Sequence, residues 1–396
     1  MAILPPIPDP PPVDNRPAWK RYLATYLPWL LTVLATFAAS YLGTRPAKVE
    51  RVEVPPVFLG EADKPLVATF AGYSRPTHGW VKDADVIAEN LDPLVTEHFV
   101  NTPAGKAVMG DEDVFLWRSI RKVANKGPPW YSNIDQGQVG CCVGAGNKHA
   151  ADLCLAGAIL SGGAFEWKPV SVEVIYGGSR VEIGNGKIRG DGSVGAWAAR
   201  WLKEYGVVPM ESVAGVDLSN YSPARAREYG SRGVPKAVED VARKFPVKGV
   251  ALVKTWADVK RAMGQSYPVA VCSDQGFTMQ RDSTGSCRAS GTWNHCMCIA
   301  GYRKLPNGTE QGFILNSWGD HAHGGPVDPP DAPMCGFWAD SRTIEGMVRQ
   351  GDSFALADIV GFPARKIPID WFIKADVAPA RKLLPLFAAF APELAH

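Results

Sequence analysis

The chain has 396 residues, 46% hydrophobic and 21% charged, enough apolar material for a sizeable core and enough length for one large or two moderate domains with appendages. With 42 Lys and Arg against 40 Asp and Glu the formal net charge is only +2, and no basic block stands out, so a nucleic-acid partner is not expected. The eight cysteines are too few for a disulfide scaffold of this size, and no C-x-x-C pair occurs to hold zinc, so neither a metal nor another cofactor is expected.

In chain order, residues 1–21 are rich in proline and polar, the composition of an extended, disordered tail. Residues 22–43 follow, "YLATYLPWLLTVLATFAASYLG", with no charge from Leu23 to Leu42. As a helix this stretch would span roughly 30 Å of hydrocarbon. Tyr22, Tyr26, Trp29 and Tyr41 lie toward its ends, as interfacial aromatics do, and Pro28 falls near its start. A single-pass membrane anchor is the expectation. A signal peptide cut after Ala38 or Ala39 and a buried core helix are the other readings; the segment is long for the first and stands between two Pro-rich stretches, an odd place for the second. Basic residues flank both ends, but Lys20 and Arg21 abut the segment on a short tail, which places the globular part outside the cytoplasm.

Residues 44–110 read as a linker and entry segment, 111–365 as the main globular body and 366–396 as a C-terminal tail with a short apolar run. Within the body, 141–160 reads as a helix, as does 193–206 with Gly206 as its stop. A third helix over 255–265 opens on a Thr N-cap with Asp three residues on. Strands follow in "YPVAVCS", "CMCIAGYRK" and "GFILNSWG", and Asn307-Gly308 between the last two marks a hairpin turn. Helices first and antiparallel strands later indicate an α+β fold with segregated layers.

Three stretches carry chemistry: "DQGQVGCCVG", "TWNHCMCIAGY" and "GFILNSWGD". The adjacent Cys141 and Cys142 are poor partners for each other, because a disulfide between neighbours strains the backbone. One is a nucleophile, both are metal ligands, or both are core residues. Cys142 stands at a helix start, where the positive end of the dipole and a nearby histidine lower a thiol's pKa. His295 suits the proton carrier, Asn316 the group that orients its ring, and Gln136 an amide donor to an oxyanion. Taken singly, each residue has a bland reading: a core cysteine, a hydrogen-bonded core histidine, an asparagine capping a turn. Cys296-Met297-Cys298 reads as core if it lies on a strand, and as a metal half-site otherwise.

The joint pattern resembles the papain-like cysteine peptidases, and bacterial or phage members more than lysosomal ones. Gln136-Gly137-Gln138-Val139-Gly140-Cys141-Cys142 is similar to that family's Q-G-x-x-G-x-C, "NHCMCIAGY" to its histidine strand, and "NSWG" at 316–319 to its asparagine motif. The resemblance covers roughly 111–365, and His295 and Asn316 lie somewhat beyond the family's interval of about 130–150 residues after the cysteine. It implies a two-lobed fold, a helical lobe followed by an antiparallel barrel-like lobe, with the cleft between them. It implies an endopeptidase with protein or peptide substrates and no cofactor. Cys142 would be the nucleophile, His295 the base, Asn316 the orienting residue and Gln136 the oxyanion donor. Trp318 would shield the His–Asn bond, and Gly192 and Ser193 of "RGDGSVGAW" would form the wall that pairs with substrate backbone. Cys141 stands where relatives often have a small serine.

The departures are specific. Val139 replaces a disulfide cysteine, and Val143 replaces an aromatic. No inhibitory propeptide pattern is evident in 44–110, so self-inhibition by that route is not expected. Cys287 and Cys335 are candidates for a bridge, and His149, His321 and His323 are alternative bases, with His149 too far along its helix and the other two at the cleft rim. Two other functions stay open: a papain-like structural or binding component with little activity, and a Cys-His hydrolase or transferase of another type, such as one acting on cell-wall peptides.

Overall fold

The structure is a computed structural model that describes residues 67–70, 73–76, 79–94, 98–108, 112–124, 133–163 and 166–358. The tail 1–21, the apolar segment 22–43 and the C-terminal tail 366–396 lie outside these residues. Among the described residues no helix is long and apolar enough to cross a membrane.

Strands β1 (Val67–Phe70) and β2 (Tyr73–Pro76) pair antiparallel. A helix over Ala84–Leu94 follows, with Asp83 Oδ1 accepting from Val86 N at its start (3.0 Å). Part of the stretch expected as linker and entry segment is therefore folded, and its Phe99 and Ala104 are fully buried. Then come β3 (Val114–Phe115), helices at Trp117–Val123, Cys142–Leu160, Val172–Gly178 and Gly195–Glu204, and the small ladder of β4 (Ser212–Val213) and β5 (Val216–Asp217). Helices at Pro223–Arg232 and Lys236–Ala242 precede β6 (Gly249–Leu252), and the Trp256–Gly264 helix precedes β7 (Val269–Phe277), β8 (Ala289–Lys304) and β9 (Glu310–Leu315). Strand β10 (Gly336–Asp340), a helix at Ser341–Val348 and β11 (Ser353–Ala357) complete the order.

The α+β reading is borne out: helices come first and an antiparallel sheet follows. The barrel-like lobe is corrected. The seven strands run β10-β9-β8-β7-β11-β6 with β3 on β8, and among the described residues nothing pairs the two edges, so the sheet is open. Among the described residues each edge strand meets only an isolated bridge outside the sheet, Leu252 of β6 to His98 and Trp338 of β10 to Ser286.

Local chemistry accounts for the elements that hold the site. Thr255 and Asp258 form a reciprocal capping box at the Trp256–Gly264 helix, and Gly206, at φ +108°, follows the Gly195–Glu204 helix as its stop. The Asn307-Gly308 turn is closed by Leu305 N donating to Thr309 O (2.9 Å). Within strand β8 the stretch 296–302 reads as a continuous apolar run because both of its faces are covered. Cys296 faces the Cys142–Leu160 helix, where a Cβ on Gly146 would lie 2.8 Å from its Sγ. Ile299, of opposite parity, faces Gly312, beside Ile344 and Trp256 of the other helices. Gly146 is thus the residue that lets the central helix lie directly on β8.

Candidate active site

The Cys142–Leu160 helix begins at Cys142, with Cys141 as its N-cap residue and no side-chain cap. Both cysteines are fully buried. Cys141 points away from the sheet into a small satellite core with Val139, Val172 and Tyr176, its Sγ 3.2 Å from Tyr221 Oη. Burial pushes its thiol up to about 12. Cys142 Sγ instead accepts from Cys296 N at 3.4 Å, on the strand that carries His295.

His295 lies opposite Ser273 in the β7–β8 ladder, at a register break. Between the pairs Ser273–His295 and Gln275–Thr292, β8 spends two residues, Trp293 and Asn294, against one on β7. Asn294 takes φ +44°, which asparagine tolerates better than most residues. The bulge frees the Asn294 carbonyl from the ladder and aims it into the site.

One hydrogen bond fixes the His295 ring, and a chain of further contacts holds the asparagine that makes it. Asn316 Oδ1 lies 2.9 Å from His295 Nε2 and also accepts from Ser317 N at 2.7 Å. The backbone donor identifies that atom as the oxygen, so Nε2 carries the hydrogen and Nδ1 keeps its lone pair. On the far side Asn316 Nδ2 lies 3.0 Å from His323 Nε2, and His323 Nδ1 lies 3.7 Å from Cys287 Sγ. Trp318 packs on the imidazole at 4.7 Å between ring centroids. His295 Nδ1 has no hydrogen-bond partner. Burial, opposed by the Asn316 bond, lowers His295 to about 4, and burial raises the Cys142 thiol well above its ordinary value. The two are not hydrogen-bonded to each other, and burial favours the uncharged form of each.

Gln136 is clamped from the asparagine loop. Its N–H donates to Ser317 O (2.9 Å), its Oε1 accepts from Ser317 Oγ (2.6 Å), and its Nε2 donates to Val139 O (2.8 Å). The side-chain amide has one more N–H. Asp135 bridges to Trp318, so the loop before the central helix and the "NSWG" loop are tied together along their backbones.

Another part of the chain lies over the site. Residues 79–81 cross it as an extended strap. Gly79 N and Trp80 N both donate to Asn294 O (3.1 and 2.9 Å), Val81 N donates to Ser193 O (2.9 Å), and Ser193 N donates to Gly79 O (2.8 Å). A Cβ on Gly79 would sit 2.7 Å from Cys142 Sγ and 2.7 Å from Gly140 O. Trp80, 2% exposed, donates its indole N–H to Asp352 Oδ2 (2.7 Å). Residues 79–81 thus lie over Cys142, held there by backbone pairing to Asn294 and Ser193.

Of the residues singled out in the sequence, Cys142, His295, Asn316, Gln136, Ser193 and Trp318 converge here. Gly192, at φ +116°, turns the chain into the wall, and its N–H donates to Tyr176 Oη (3.0 Å). His149 is buried behind Asn316, whose backbone hydrogen-bonds it, and His321 is exposed. His323 is corrected from the rim to the interior, 3% exposed. Cys287 and Cys335 are free thiols, not a bridge, as are the other six cysteines. Cys296 and Cys298 are buried on β8, and among the described residues no cluster of ligands suits a metal ion. Gly79, Trp80, Asn294 and Asp352 escaped the sequence reading: Asn294 adjoins His295 but its part is played by its backbone carbonyl, and nothing adjacent in the chain marks the other three.

No protein-family model matches the chain, and no curated protein matches it. Among solved structures it is similar to xylellain, a cysteine protease from Xylella fastidiosa (16% identity, TM-score 0.48, covering 72% of this chain and 96% of that one). It is also similar to digestive procathepsin L 3 of Tenebrio molitor larval midgut (18%, 0.43, 69% and 78%) and to proCathepsin B S9 from Trypanosoma congolense (11%, 0.43, 70% and 85%).

Proposed function

We propose that the chain is a papain-like cysteine endopeptidase in a latent form, closed by its own residues 79–81. The observation that carries this reading is the state of His295: Nε2 is committed to Asn316, while Nδ1 is left without a partner in the site that holds Cys142. A buried ring nitrogen is rarely left unpaired, and an exception asks for a role.

Once the strap leaves, water and substrate replace it over Cys142. His295 Nδ1 takes the thiol proton, and the helix N-terminus stabilises the thiolate. The sulfur attacks the substrate carbonyl carbon. The oxyanion is held by Cys142 N–H and by the second N–H of Gln136 Nε2. The imidazolium gives its proton to the departing amine, leaving a thioester on Cys142. His295 then takes a proton from water, the hydroxide adds to the thioester carbonyl, the C–S bond breaks to release the acid, and the imidazolium returns the proton to Cys142. Asn316 keeps the ring in the tautomer that these steps need. The strap itself escapes cleavage because its Gly79 carbonyl is turned to Ser193 N–H and away from the oxyanion donors. The substrate wall is Gly192-Ser193. The apolar segment 22–43 anchors the enzyme to a membrane with this body outside the cytoplasm.

A second reading, a structural protein on the same fold, is favoured by the neutral, covered Cys142. Iodoacetamide labelling read by mass spectrometry separates the two. In full-length chain carrying Trp80→Ala, Cys142 should label faster than the other seven cysteines. Peptide cleavage should vanish, by at least roughly 1000-fold, in Cys142→Ala and in His295→Ala, and persist in Cys141→Ala. Equal labelling of all cysteines and no cleavage would leave the structural reading.

A further inference from the structure

Toward the far end of the central helix lies a cavity of about 700 Å³. Ala151, Cys154, Leu155 and Ala158, at the spacing of one helix face, line it on one side. They stand roughly 14–24 Å along the helix axis from Cys142, so the cavity is no part of the site over the sulfur. Phe245 and Val247, ahead of β6, line it as well. Phe245 is 48% exposed, and its ring is continuous with this apolar lining rather than isolated on the surface.

The charges around the cavity cancel. Glu166, Glu211 and Asp358 stand against Lys168, Lys244 and Lys248, and Lys168 is paired with Glu211 (2.7 Å). No net charge is left to select an ionic ligand, so the chemistry that fits is an apolar side chain.

Where the described chain stops supplies one. Its last residue, Asp358, lines the cavity itself. Strand β11 arrives there antiparallel to β6, with Ala357 opposite Gly249. The same register would set Ile359 opposite Val247, but Val247 N donates to Leu202 O (3.0 Å) and is lost to the ladder. Sheet pairing therefore ends where the cavity begins. The sequence goes on Ile359-Val360-Gly361-Phe362-Pro363, with no charge before Arg365. Proline has no N–H to continue a ladder, and Phe362, four residues past Asp358, has a reach of at most about 14 Å. Placing these side chains in the cavity removes their apolar surface and that of Phe245 from water together.

We propose that this cavity is the docking site of the chain's own segment 359–363, with the Phe362 ring inside it beside Cys154 and Phe245. The segment closes the cavity and fixes the start of the C-terminal tail at the end of the central helix remote from Cys142. The docking does not depend on the peptidase reading.

Cys154 is a built-in reporter, because it lines the cavity and forms no disulfide. Its iodoacetamide labelling is followed by mass spectrometry in the full-length chain and two variants. Phe362→Asp should raise the rate by about tenfold or more, since a carboxylate resists burial in an apolar cavity. Phe387→Asp, in the apolar run further along the tail, should leave it within about twofold. Cys298 and Cys335, buried in the core, report global unfolding and should keep their rates in both. An unchanged Cys154 rate in Phe362→Asp, or a rise in Phe387→Asp instead, overturns the proposal. If Phe362→Asp unfolds the chain, cross-linking decides. In full-length Phe362→Cys a short bismaleimide should join Cys154 to residue 362 within one chain, identified from the linked peptides. A link between two chains assigns the cavity to a second copy, and no link between these positions leaves it without this segment; either result overturns the proposal.

Discussion

At the scale of single residues, the site is governed by who sits next to a sulfur and a ring nitrogen. Gly79 is the tightest contact. A methyl group there meets Cys142 Sγ and the Gly140 backbone at 2.7 Å, and backbone does not yield as a flexible side chain does. Overpacking of this kind typically costs about 1–3 kcal/mol. Gly79→Ala should therefore shift the strap toward its open form and raise the iodoacetamide labelling rate of Cys142 by roughly tenfold or more. An unchanged rate would mean that the strap is not what protects the thiol. His323 acts one step further back, as a positioning residue whose Nε2 holds the Asn316 amide so that Oδ1 faces His295. In the uncovered chain His323→Ala should lower kcat by roughly tenfold with KM unchanged. His323→Gln, which keeps an acceptor, should recover most of the loss. A fall in KM and kcat together, or no recovery by glutamine, would assign His323 a merely structural part.

At the scale of elements, the central helix does two jobs that compete. Its N-terminus serves Cys142, while its body is buried almost all round and must still carry Lys148 and Asp152, both fully inside. The two pair with each other across one turn, and Asp152 Oδ1 also accepts from Val170 N (2.9 Å). Removing one member of such a pair leaves a charge in the core. Asp152→Ala is expected to cost about 3–5 kcal/mol of unfolding free energy, read by urea titration. A loss below about 1 kcal/mol would show that Lys148 is accommodated without its carboxylate. The ends of these elements were legible in the sequence because their signals are local: the Thr255–Asp258 box, Gly206 after its helix, the Asn307-Gly308 turn. The β8 bulge at Trp293–Asn294 was not legible. It is a mismatch in length between two strands that neither strand states alone, and it is what turns the Asn294 carbonyl toward the strap.

At the scale of the whole described body, Asp352 is the point where the strap, the Gly195–Glu204 helix and the sheet meet. Its carboxyl stands at about 6 against an ordinary 3.8, because burial outweighs the hydrogen bonds from Trp80, Gly195 and Ala196. The sign follows from where the proton is held. Below about pH 3.8 folded and unfolded chains are both protonated there, and Asp352 costs nothing. Between 3.8 and about 6 the folded chain keeps a proton that the unfolded chain has lost, so the stability it allows falls as pH rises. Above about 6 the full cost of burying the anion applies, about 3 kcal/mol. Asp352→Asn should thus stabilise the covered chain more at pH 7.5 than at pH 4.5, measured by urea unfolding at both. A difference independent of pH would contradict the assignment.

What the sequence determined by itself is the set of groups at the candidate site, and the reason is that each is written into a short local motif. A glutamine and glycines before a helix start, a histidine heading an apolar strand, and an asparagine at a strand end can be read from their neighbours. The α+β class was readable likewise from the order of helical and alternating segments. The tertiary structure alone decided the state of those groups. That Cys142 is neutral and roofed by Gly79, that His323 backs Asn316, and that Trp80 rests on Asp352 all depend on residues distant in the chain. They are joined by backbone pairing that carries no residue code and by burial that no single segment controls.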